Sequence, residues 1–380
     1  MSHTKRTHLL KTLDRSIKLS KITILIGPRQ IGKTTLVKEF IKNKKKVEIH
    51  FFDLEDPTDF DLLDNSKLTL EPLDGLIVID EVQRKPELFK YLRVKADQMG
   101  KTSRILLLGS SSRDLIEQAS ETLAGRINYI EVPGFSIDET HNIEKLFVRG
   151  CFPLSFSAKT EEASYQWRKF YTQAYLERDL KTLGIDLPSQ SLRRMLEMMV
   201  GYHGQIFNSS EIGKSLGFSH TTARKYLDIL ISTFLIRELK PWHESIIQRQ
   251  VKQSKIYFRD SGLVNYFMAI HSKNELYRNP KLGHLWEGFA LEETIKLIGA
   301  ENEDLYFWAL HQNGELDLLW KKADKKLGFE FKYTDHPKVT SSMEKALELI
   351  NLDHLYIIYP GSKKAKLHEK ISLIPLGEKL

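Results

Sequence analysis

The sequence GPRQIGKT, residues 27–34, decides the fold of this chain. It matches the pattern G-x-x-x-x-G-K-[ST] at every fixed position, and it lies between the apolar run Ile22–Ile26 and a helical pattern at residues 33–43. Gly27 and Gly32 let the backbone curl so that its N–H groups face a phosphate, and the positive end of the following helix strengthens this attraction. A glycine-rich turn could match by chance, but the strand and helix on either side favour a phosphate-binding loop.

This loop predicts a site for ATP and Mg²⁺. Lys33 would reach the β- and γ-phosphates, and the Thr34 hydroxyl would ligate Mg²⁺. The predicted nucleotide-binding residues are Gly27, Pro28, Arg29, Gln30, Ile31, Gly32, Lys33, Thr34, Thr35 and Ser110.

The sequence LIVIDE, residues 76–81, supplies the carboxylates that such a site needs. Four apolar residues predict a buried strand, and Asp80 and Glu81 follow at its C-terminal end, where ligands bind in parallel α/β sheets. Asp80 would support the Mg²⁺ ion, and Glu81 would polarise the attacking water. An acidic pair after a strand can also be ordinary surface charge, but its occurrence together with the loop favours the catalytic interpretation.

Two further positions are candidates for contacts with the γ-phosphate. The apolar run Arg104–Gly109 ends at Ser110 and Ser111, and either hydroxyl could bind the γ-phosphate or the water, although a turn or a helix cap is equally consistent. Arg126 is the candidate arginine finger, and the alternative is a surface arginine. The predicted catalytic residues are Glu81, Lys33 and Arg126. A role of Arg126 in trans would require a homo-oligomer.

Short apolar runs alternate with helical or polar segments through the first half of the chain, which predicts an α/β fold with a parallel sheet. The predicted strands are Ile22–Ile26, residues 47–54, Leu76–Asp80, Arg104–Gly109 and residues 128–132.

The composition excludes several classes of protein. With 41% hydrophobic and 28% charged residues, the chain is not disordered as a whole. The single cysteine, Cys151, excludes an intramolecular disulfide framework and a cysteine-based zinc site. The N-terminus shows no apolar signal region, and no window approaches the roughly 18 uninterrupted apolar residues of a membrane span. We expect a cytoplasmic protein without a membrane partner.

A helix, a tight turn and a second helix are predicted at residues 209–230, and strand-like runs follow at residues 235–239 and 255–259. Ser209 is the expected cap of the first helix, and Gly217 suits the turn. This order predicts a winged helix, which can bind DNA or serve as a spacer or protein-contact module. The residues expected to face DNA are His220, Thr221, Thr222, Arg224 and Lys225.

The net charge of +7 is distributed unevenly. Residues 1–50 hold 13 basic and 3 acidic side chains, a surplus of 10, so the other 330 residues are slightly acidic. Residues 190–259 hold 11 basic and 5 acidic side chains, a local surplus of 6. The local surplus, rather than the total, favours DNA as a partner of the predicted winged helix.

The last hundred residues predict the order helix, strand, strand, strand, helix, strand. Alternation places Glu315 and Asp317 on one strand face, and Glu330 and Lys332 on one face of the next strand. If these strands are neighbours, their side chains converge, and Glu287 on the preceding helix could complete a site for a hard cation such as Mg²⁺. The alternative is a solvated hairpin with alternating charge.

The motifs GPRQIGKTTL, IDEVQ, GSSS and LAGRI together resemble the AAA-type ATPases of bacteria and archaea. In that group a P-loop module is fused to a C-terminal domain of unknown function with a restriction-endonuclease-like core. The resemblance extends to EDP at residues 55–57, YLERD at 175–179, FRDSGL at 258–263 and GHLWE at 283–287. Residues 317–332 are similar to the D…E-x-K core of restriction-endonuclease-like nucleases, although Glu315-Leu316 replaces the strict proline before the first aspartate.

The resemblance implies nucleotide binding and hydrolysis in a P-loop sheet, followed by a winged helix and a restriction-endonuclease-like α/β domain. The predicted boundaries are 1–155 for the ATPase domain, 156–188 for a helical connector, 189–275 for the winged helix and 276–380 for the last domain. Three functions remain open at this point: an ATPase coupled to DNA, a metal-dependent DNA nuclease with ATP as a switch, and a nucleotide-gated interaction protein without turnover.

Overall fold

The computed structural model describes residues 4–42, 44, 47–100, 103–110, 127–182, 187–243, 251–310 and 314–380. The chain divides into two compact units. The first unit contains Met1–Gly134 and Leu230–Phe234, and the second contains Phe135–Ile229 and Leu235–Leu380. Within the described ranges, every helix is too short or too polar to cross a membrane.

The first unit contains a sheet whose strands are all parallel, in the order β2-β3-β4-β1-β5. This arrangement confirms the predicted α/β fold with a parallel sheet. The strands are β1 (Ile22–Ile26), β2 (Ile49–Asp53), β3 (Leu76–Asp80), β4 (Arg104–Gly109) and β5 (Ile127–Glu131). The helices are α1 (Thr7–Leu19), α2 (Lys33–Lys42), α3 (Pro57–Leu62), α4 (Ser66–Leu70) and α5 (Leu88–Gln98), with 3₁₀ turns at Leu63–Asn65 and Val82–Arg84.

The strand order of the first unit brings the predicted site residues to one edge of the sheet. Strand β4 lies between β1 and β3, and its parallel register pairs Gly109 with Ile26 and Leu107 with Ile79. Every residue of β1 and β3 is buried, because helices or loops cover both faces of these apolar strands. The segments that follow the three strands therefore emerge side by side at their carboxyl ends.

The second unit contains a nine-stranded sheet in the order β13-β14-β12-β11-β10-β9-β7-β8-β6. Its strands are β6 (Gln205–Ile206), β7 (Ile236–Pro241), β8 (Lys255–Phe258), β9 (Leu305–Ala309), β10 (Glu315–Lys322), β11 (Lys325–Phe331), β12 (His354–Tyr359), β13 (Ala365–His368) and β14 (Ile371–Pro375). The remaining described helices are α6 (Ile137–Thr140), α7 (Ile143–Arg149), α8 (Pro153–Phe156), α9 (Glu161–Ala174), α10 (Leu180–Thr182), α11 (Ser189–Val200), α12 (Ser209–Leu216), α13 (His220–Ser232), α14 (Ser261–Phe267), α15 (Lys273–Tyr277), α16 (Leu282–Ile298) and α17 (Ser341–Leu349), with a π-helical turn at Tyr175–Asp179 and a 3₁₀ turn at Asn302–Asp304.

Two groups of strands join to make this sheet. Strands β6, β8 and β7 are antiparallel neighbours, and β7 pairs in parallel with β9 through Lys240 with Tyr306 and Pro241 with Phe307. Beyond β9, strand β10 runs antiparallel to both β9 and β11, whereas β12 is parallel to β11. The predicted C-terminal order is observed as α16-β9-β10-β11-α17-β12, and β13 and β14 follow it.

Two local predictions were wrong in detail. Helix α12 is capped by Asn208 and not by Ser209, because the Asn208 side chain accepts hydrogen bonds from the N–H groups of Ser210, at 3.1 Å, and Glu211, at 3.3 Å. The strand predicted at residues 47–54 is shorter, Ile49–Asp53. The predicted turn at Gly217 is confirmed by its left-handed φ of 79°.

Candidate functional site

The loop after β1 adopts a conformation that glycine makes possible. Gly27 has a φ of 153°, and a Cβ atom at this position would lie 2.6 Å from the carbonyl oxygen of Val132. Gln30 and Gly32 also have positive φ values, 61° and 95°, and they curl the chain before α2. Any side chain at Gly27 would meet backbone, so the loop depends on this glycine.

Lys33, the first residue of α2, directs its ammonium into the loop. Its Nζ donates hydrogen bonds to the carbonyl oxygens of Gly27, at 2.9 Å, and Pro28, at 3.0 Å. Burial lowers the pKa of the Lys33 ammonium to about 8, although the Glu81 and Asp80 carboxylates oppose this effect. A phosphate bound in the loop would supply a full negative charge to this buried ammonium.

Thr34 and Asp80 place two hard oxygen atoms side by side next to the loop. The Thr34 hydroxyl donates to Asp80 Oδ2 at 2.6 Å, and Asp80 Oδ1 accepts from the Glu81 backbone N–H at 2.9 Å. Burial raises the pKa of Asp80, and the hydrogen bond from Thr34 acts in the opposite direction. A hydroxyl and a carboxylate side by side fit the coordination chemistry of Mg²⁺. The structure thus brings together the two residues predicted to hold this ion.

Glu81 is held by two side chains at the same edge of the sheet. Its backbone is left-handed, with a φ of 53°. Gln83 Nε2 donates to Glu81 Oε2 and, at 2.9 Å, to Ser110 Oγ, and the Ser110 hydroxyl donates to Glu81 Oε2 at 3.2 Å. The structure therefore places the predicted Ser110 against Glu81, and it adds Gln83, which the sequence reasoning missed. The signal for Gln83 was its place at the end of the motif IDEVQ, residues 79–83, two residues after Glu81.

The other predicted nucleotide-binding residues have different surroundings. Within the loop Ile31 is buried, and Thr35 is exposed on α2. Arg29 Nη2 pairs with Glu55 Oε1 at 2.6 Å near the surface. Arg126, the predicted arginine finger, and Ser111 lie outside the described residues.

A second group of predicted residues converges in the second unit. Glu287 comes from α16, Asp317 from β10, and Glu330 and Lys332 from β11 and the residue after it. Lys332 Nζ lies 2.7 Å from Glu330 Oε2, and Asp317 Oδ2 accepts a hydrogen bond from the Phe331 N–H at 3.0 Å. Asp317 and Glu330 are buried, which disfavours the alternative of a solvated hairpin.

Strand β8 adds two residues to this carboxylate cluster that the sequence reasoning did not include. The Tyr257 hydroxyl donates to Glu287 Oε1 at 2.7 Å, and Lys255 Nζ donates to Glu315 Oε1. Lys255 and Tyr257 are two residues apart on one strand, so their side chains share a face. Their sequence distance from the cluster, 30 residues between Tyr257 and Glu287, left no local signal for this contact.

The electrostatics of the carboxylate cluster are dominated by burial. Burial, followed by the Asp317 charge, raises the pKa values of Glu287 and Glu330 well above their ordinary range. Burial also acts to lower the pKa of Lys255, but Asp317 and the neighbouring glutamates outweigh it and raise this pKa to about 12. Among the described residues, no three His, Cys, Asp or Glu side chains are already arranged as a metal-binding group.

The predicted DNA-facing residues of α13 are partly engaged by the protein itself. His220, Thr221 and Lys225 are exposed, and Thr222 contacts the Ser219 hydroxyl at 2.9 Å. Arg224 instead pairs with Glu238, at 2.5 Å and 2.9 Å, and with Asp228, at 2.7 Å. Arg224 is therefore engaged by two carboxylates of the protein, and Lys225 is an exposed basic group of this helix.

Three family models match successive parts of the chain. Residues 19–141 match a family described as AAA domain. Residues 140–274 and 282–378 match two families described as domains of unknown function, DUF8612 and DUF4143. The first match covers the loop at residues 27–34 together with Asp80, Glu81 and Ser110.

Relatives match nearly the whole chain. It is 40% identical over 368 residues to two proteins described as uncharacterized, one from Mycobacterium bovis and one from Mycobacterium tuberculosis, and the alignments cover 96% of this chain and 82% of each relative. This chain belongs to their family. This chain combines an AAA-type P-loop ATPase domain, which binds ATP, with a middle and a C-terminal region of unknown function.

Solved structures are similar to this family member at low sequence identity. A Walker-type ATPase of Pyrococcus abyssi has a TM-score of 0.48 and 15% identity, covering 70% of this chain and 96% of that chain. A RuvB variant of Thermotoga maritima has a TM-score of 0.30 and 18% identity, covering 61% of this chain and 89% of that chain.

Proposed function

We propose that this protein hydrolyses ATP with Mg²⁺ at the loop of residues 27–34 and couples hydrolysis to DNA through its middle region. The observation that carries the ATPase assignment is the 2.6 Å contact between Thr34 Oγ1 and Asp80 Oδ2, with Lys33 and Glu81 beside it. Each of these residues has the chemistry that phosphoryl transfer needs, and the AAA domain match covers all of them.

The proposed reaction uses each side chain in one role. The Lys33 ammonium would bind β- and γ-phosphate oxygens in place of the loop carbonyls, and Thr34 and Asp80 would hold Mg²⁺, which would supply positive charge to those oxygens. The Glu81 carboxylate orients a water for in-line attack and accepts its proton. Gln83 and Ser110 hold the Glu81 carboxylate in position, because both donate hydrogen bonds to its Oε2 atom.

Phosphate release from Mg·ATP tests this assignment. Lys33→Ala is expected to abolish turnover by removing phosphate binding, and Glu81→Gln is expected to abolish turnover while ATP binding persists. Full turnover by Lys33→Ala would refute the site. ATP binding without any phosphate release by the unmodified chain would instead support the nucleotide-gated interaction protein.

Mixing Arg126→Ala subunits with Lys33→Ala subunits tests the proposed arginine finger. Recovered turnover in the mixture supports a role of Arg126 in trans within a homo-oligomer. Full activity of Arg126→Ala alone excludes the role.

The proposed coupling to DNA rests on the order and charge of the middle region. Elements α11, β6, α12, α13, β7 and β8 follow the order expected of a winged helix, and β8 is antiparallel to both β6 and β7. The local surplus of 6 positive charges in residues 190–259 and the exposed Lys225 suit a phosphate backbone. Phosphate release with and without single- and double-stranded DNA tests the coupling, and an unchanged rate with both would contradict it.

A metal-dependent DNA nuclease, with ATP as a switch, is the second candidate function. It is favoured by the convergence of Glu287, Asp317 and Glu330 with Lys332 from three elements, in a restriction-endonuclease-like order of helix and strands. Carboxylate oxygens fit Mg²⁺ or Mn²⁺, and Lys332 would orient or activate water. Incubation of plasmid DNA with either ion tests this function. Asp317→Ala and Lys332→Ala should abolish cleavage, and cleavage that survives both substitutions would overturn this site.

A further inference from the structure

The Lys255 ammonium occupies the carboxylate cluster from the side of β8. Its side chain is 5% exposed, and its Nζ donates to Glu315 on β10. Against the effect of burial, the charges of Asp317 and Glu287 raise the pKa of this ammonium, and Tyr257, two residues along the same strand, donates to Glu287 Oε1 at 2.7 Å. A buried lysine among carboxylates is a cation in the place where a metal ion would be attracted, and the two charges repel each other.

The partners of Lys255 differ in exposure. Asp317 is 6% exposed, whereas the Glu315 side chain is 50% exposed. Glu315 therefore connects the buried Lys255 ammonium to the solvent-exposed edge of the cluster. The Tyr257 contact with Glu287 anchors β8 to the cluster independently of Lys255.

We propose that Lys255 is the cation that β8 contributes to the carboxylate cluster, beside Lys332 of the cluster itself, and that a divalent metal ion displaces Lys255 from its position among the carboxylates. This inference rests on the second candidate function, because it concerns the same carboxylates, but it requires no cleavage of DNA. The site would then combine two regions of the chain. Lys255 on β8 belongs to residues 140–274, and the carboxylates belong to residues 282–378.

Calorimetric titration of the full chain with Mn²⁺, without nucleotide or DNA, tests the proposal. All proteins carry Asp80→Asn so that the ATP site does not contribute. Lys255→Met is expected to bind Mn²⁺ at least tenfold more tightly than the parent, because the repelling charge is gone and the side-chain volume is nearly kept. The exposed Lys325→Met on β11 is the matched control and should bind as the parent does. Adding Asp317→Asn to Lys255→Met should abolish the gain. Equal or weaker binding by Lys255→Met overturns the proposal.

A second measurement uses the natural residue and does not depend on the folding of Lys255→Met. Mass spectrometry after brief acetylation reports how accessible each lysine amine is. Millimolar Mn²⁺ is expected to raise acetylation of Lys255 several-fold in the Asp80→Asn chain and to leave that of Lys325 unchanged. Acetylation of Lys255 that does not respond to Mn²⁺ refutes displacement. Metal binding with these signatures but without DNA cleavage would refute the nuclease and leave this proposal standing.

Discussion

The buried ammonium of Lys33 lowers the stability of the folded protein. Burial holds its pKa near 8, below its ordinary 10.5, so the folded protein loses this proton at lower pH than the unfolded chain does. Between these two values the unfolded state binds more protons, and the free energy of unfolding therefore rises with pH. Below pH 8 the folded state carries the full cost, up to about 3 kcal/mol.

We therefore expect Lys33→Met to stabilise the nucleotide-free protein at pH 7 by up to about 3 kcal/mol. The substitution should also remove the contribution that raises stability between pH 8 and 10.5. Urea unfolding of both proteins at pH 7 and pH 10 measures the difference between their free energies of unfolding. The other titrating groups are common to both proteins, so their contributions cancel in this difference. If Lys33→Met and the parent differ in free energy of unfolding by the same amount at pH 7 and pH 10, the burial of this charge is contradicted.

Gln83 is expected to act on the rate of hydrolysis rather than on binding. Because its amide donates to the Glu81 carboxylate and to Ser110, Gln83→Ala should lower kcat roughly tenfold and leave KM for ATP unchanged. Gln83→Asn keeps the amide on a shorter chain and should recover part of the rate. Exposed Gln98→Ala on α5 is the control. A rise in KM with unchanged kcat in Gln83→Ala would assign this residue to nucleotide binding instead.

At the scale of elements, a buried ion pair fastens β7 to α16. Arg237 Nη2 donates to Glu292 Oε2 at 3.0 Å, and both side chains are 5% exposed. Although burial acts to raise it, Arg237 and Arg259 lower the pKa of Glu292, so the carboxylate is charged. Removing one partner leaves a buried charge without its main counter-ion.

Arg237→Met is expected to destabilise the protein by about 3–5 kcal/mol, and Arg237→Met with Glu292→Leu should recover much of this loss. Arg178→Met is the control, because its pair with Asp179 is at the surface and contributes less than about 1 kcal/mol. Chemical unfolding of the four proteins measures these values. A double variant as unstable as Arg237→Met would show that the pair itself, rather than the unpaired Glu292, supplies the stability.

Sequence patterns predicted the elements of this protein better than their partnerships. The apolar runs of β1, β3 and β4 and the loop motif are contiguous, so strand, turn and chemistry are visible within a few residues. Strand β7 pairs with β9, and Lys255 on β8 contacts Glu315. Each contact joins positions about 60 residues apart, and no sequence motif marks them. Asn208 replaced Ser209 as a cap because neighbouring residues of similar chemistry compete for one position.

For the whole molecule, the location of charge matters more than the net value of +7. The surplus in residues 1–50 includes Lys33, which is buried at the loop, and Lys38 and Lys42, which are exposed on α2. The surplus of the middle region includes the exposed Lys214 and Lys225 on the two helices of the proposed winged helix. A binding surface for DNA in the middle region would use Lys214 and Lys225 rather than Lys38 and Lys42.

Two double variants with the same change in net charge separate these locations. Lys214→Glu with Lys225→Glu should weaken double-stranded DNA binding at least tenfold and reduce the slope of log affinity against log salt by about 2, because two phosphate contacts are lost. Lys38→Glu with Lys42→Glu should leave both quantities close to those of the unmodified protein. Fluorescence anisotropy across a salt series measures them. If both double variants lose the same amount of DNA affinity, binding depends on total charge alone. That result would contradict a DNA-binding surface in the middle region.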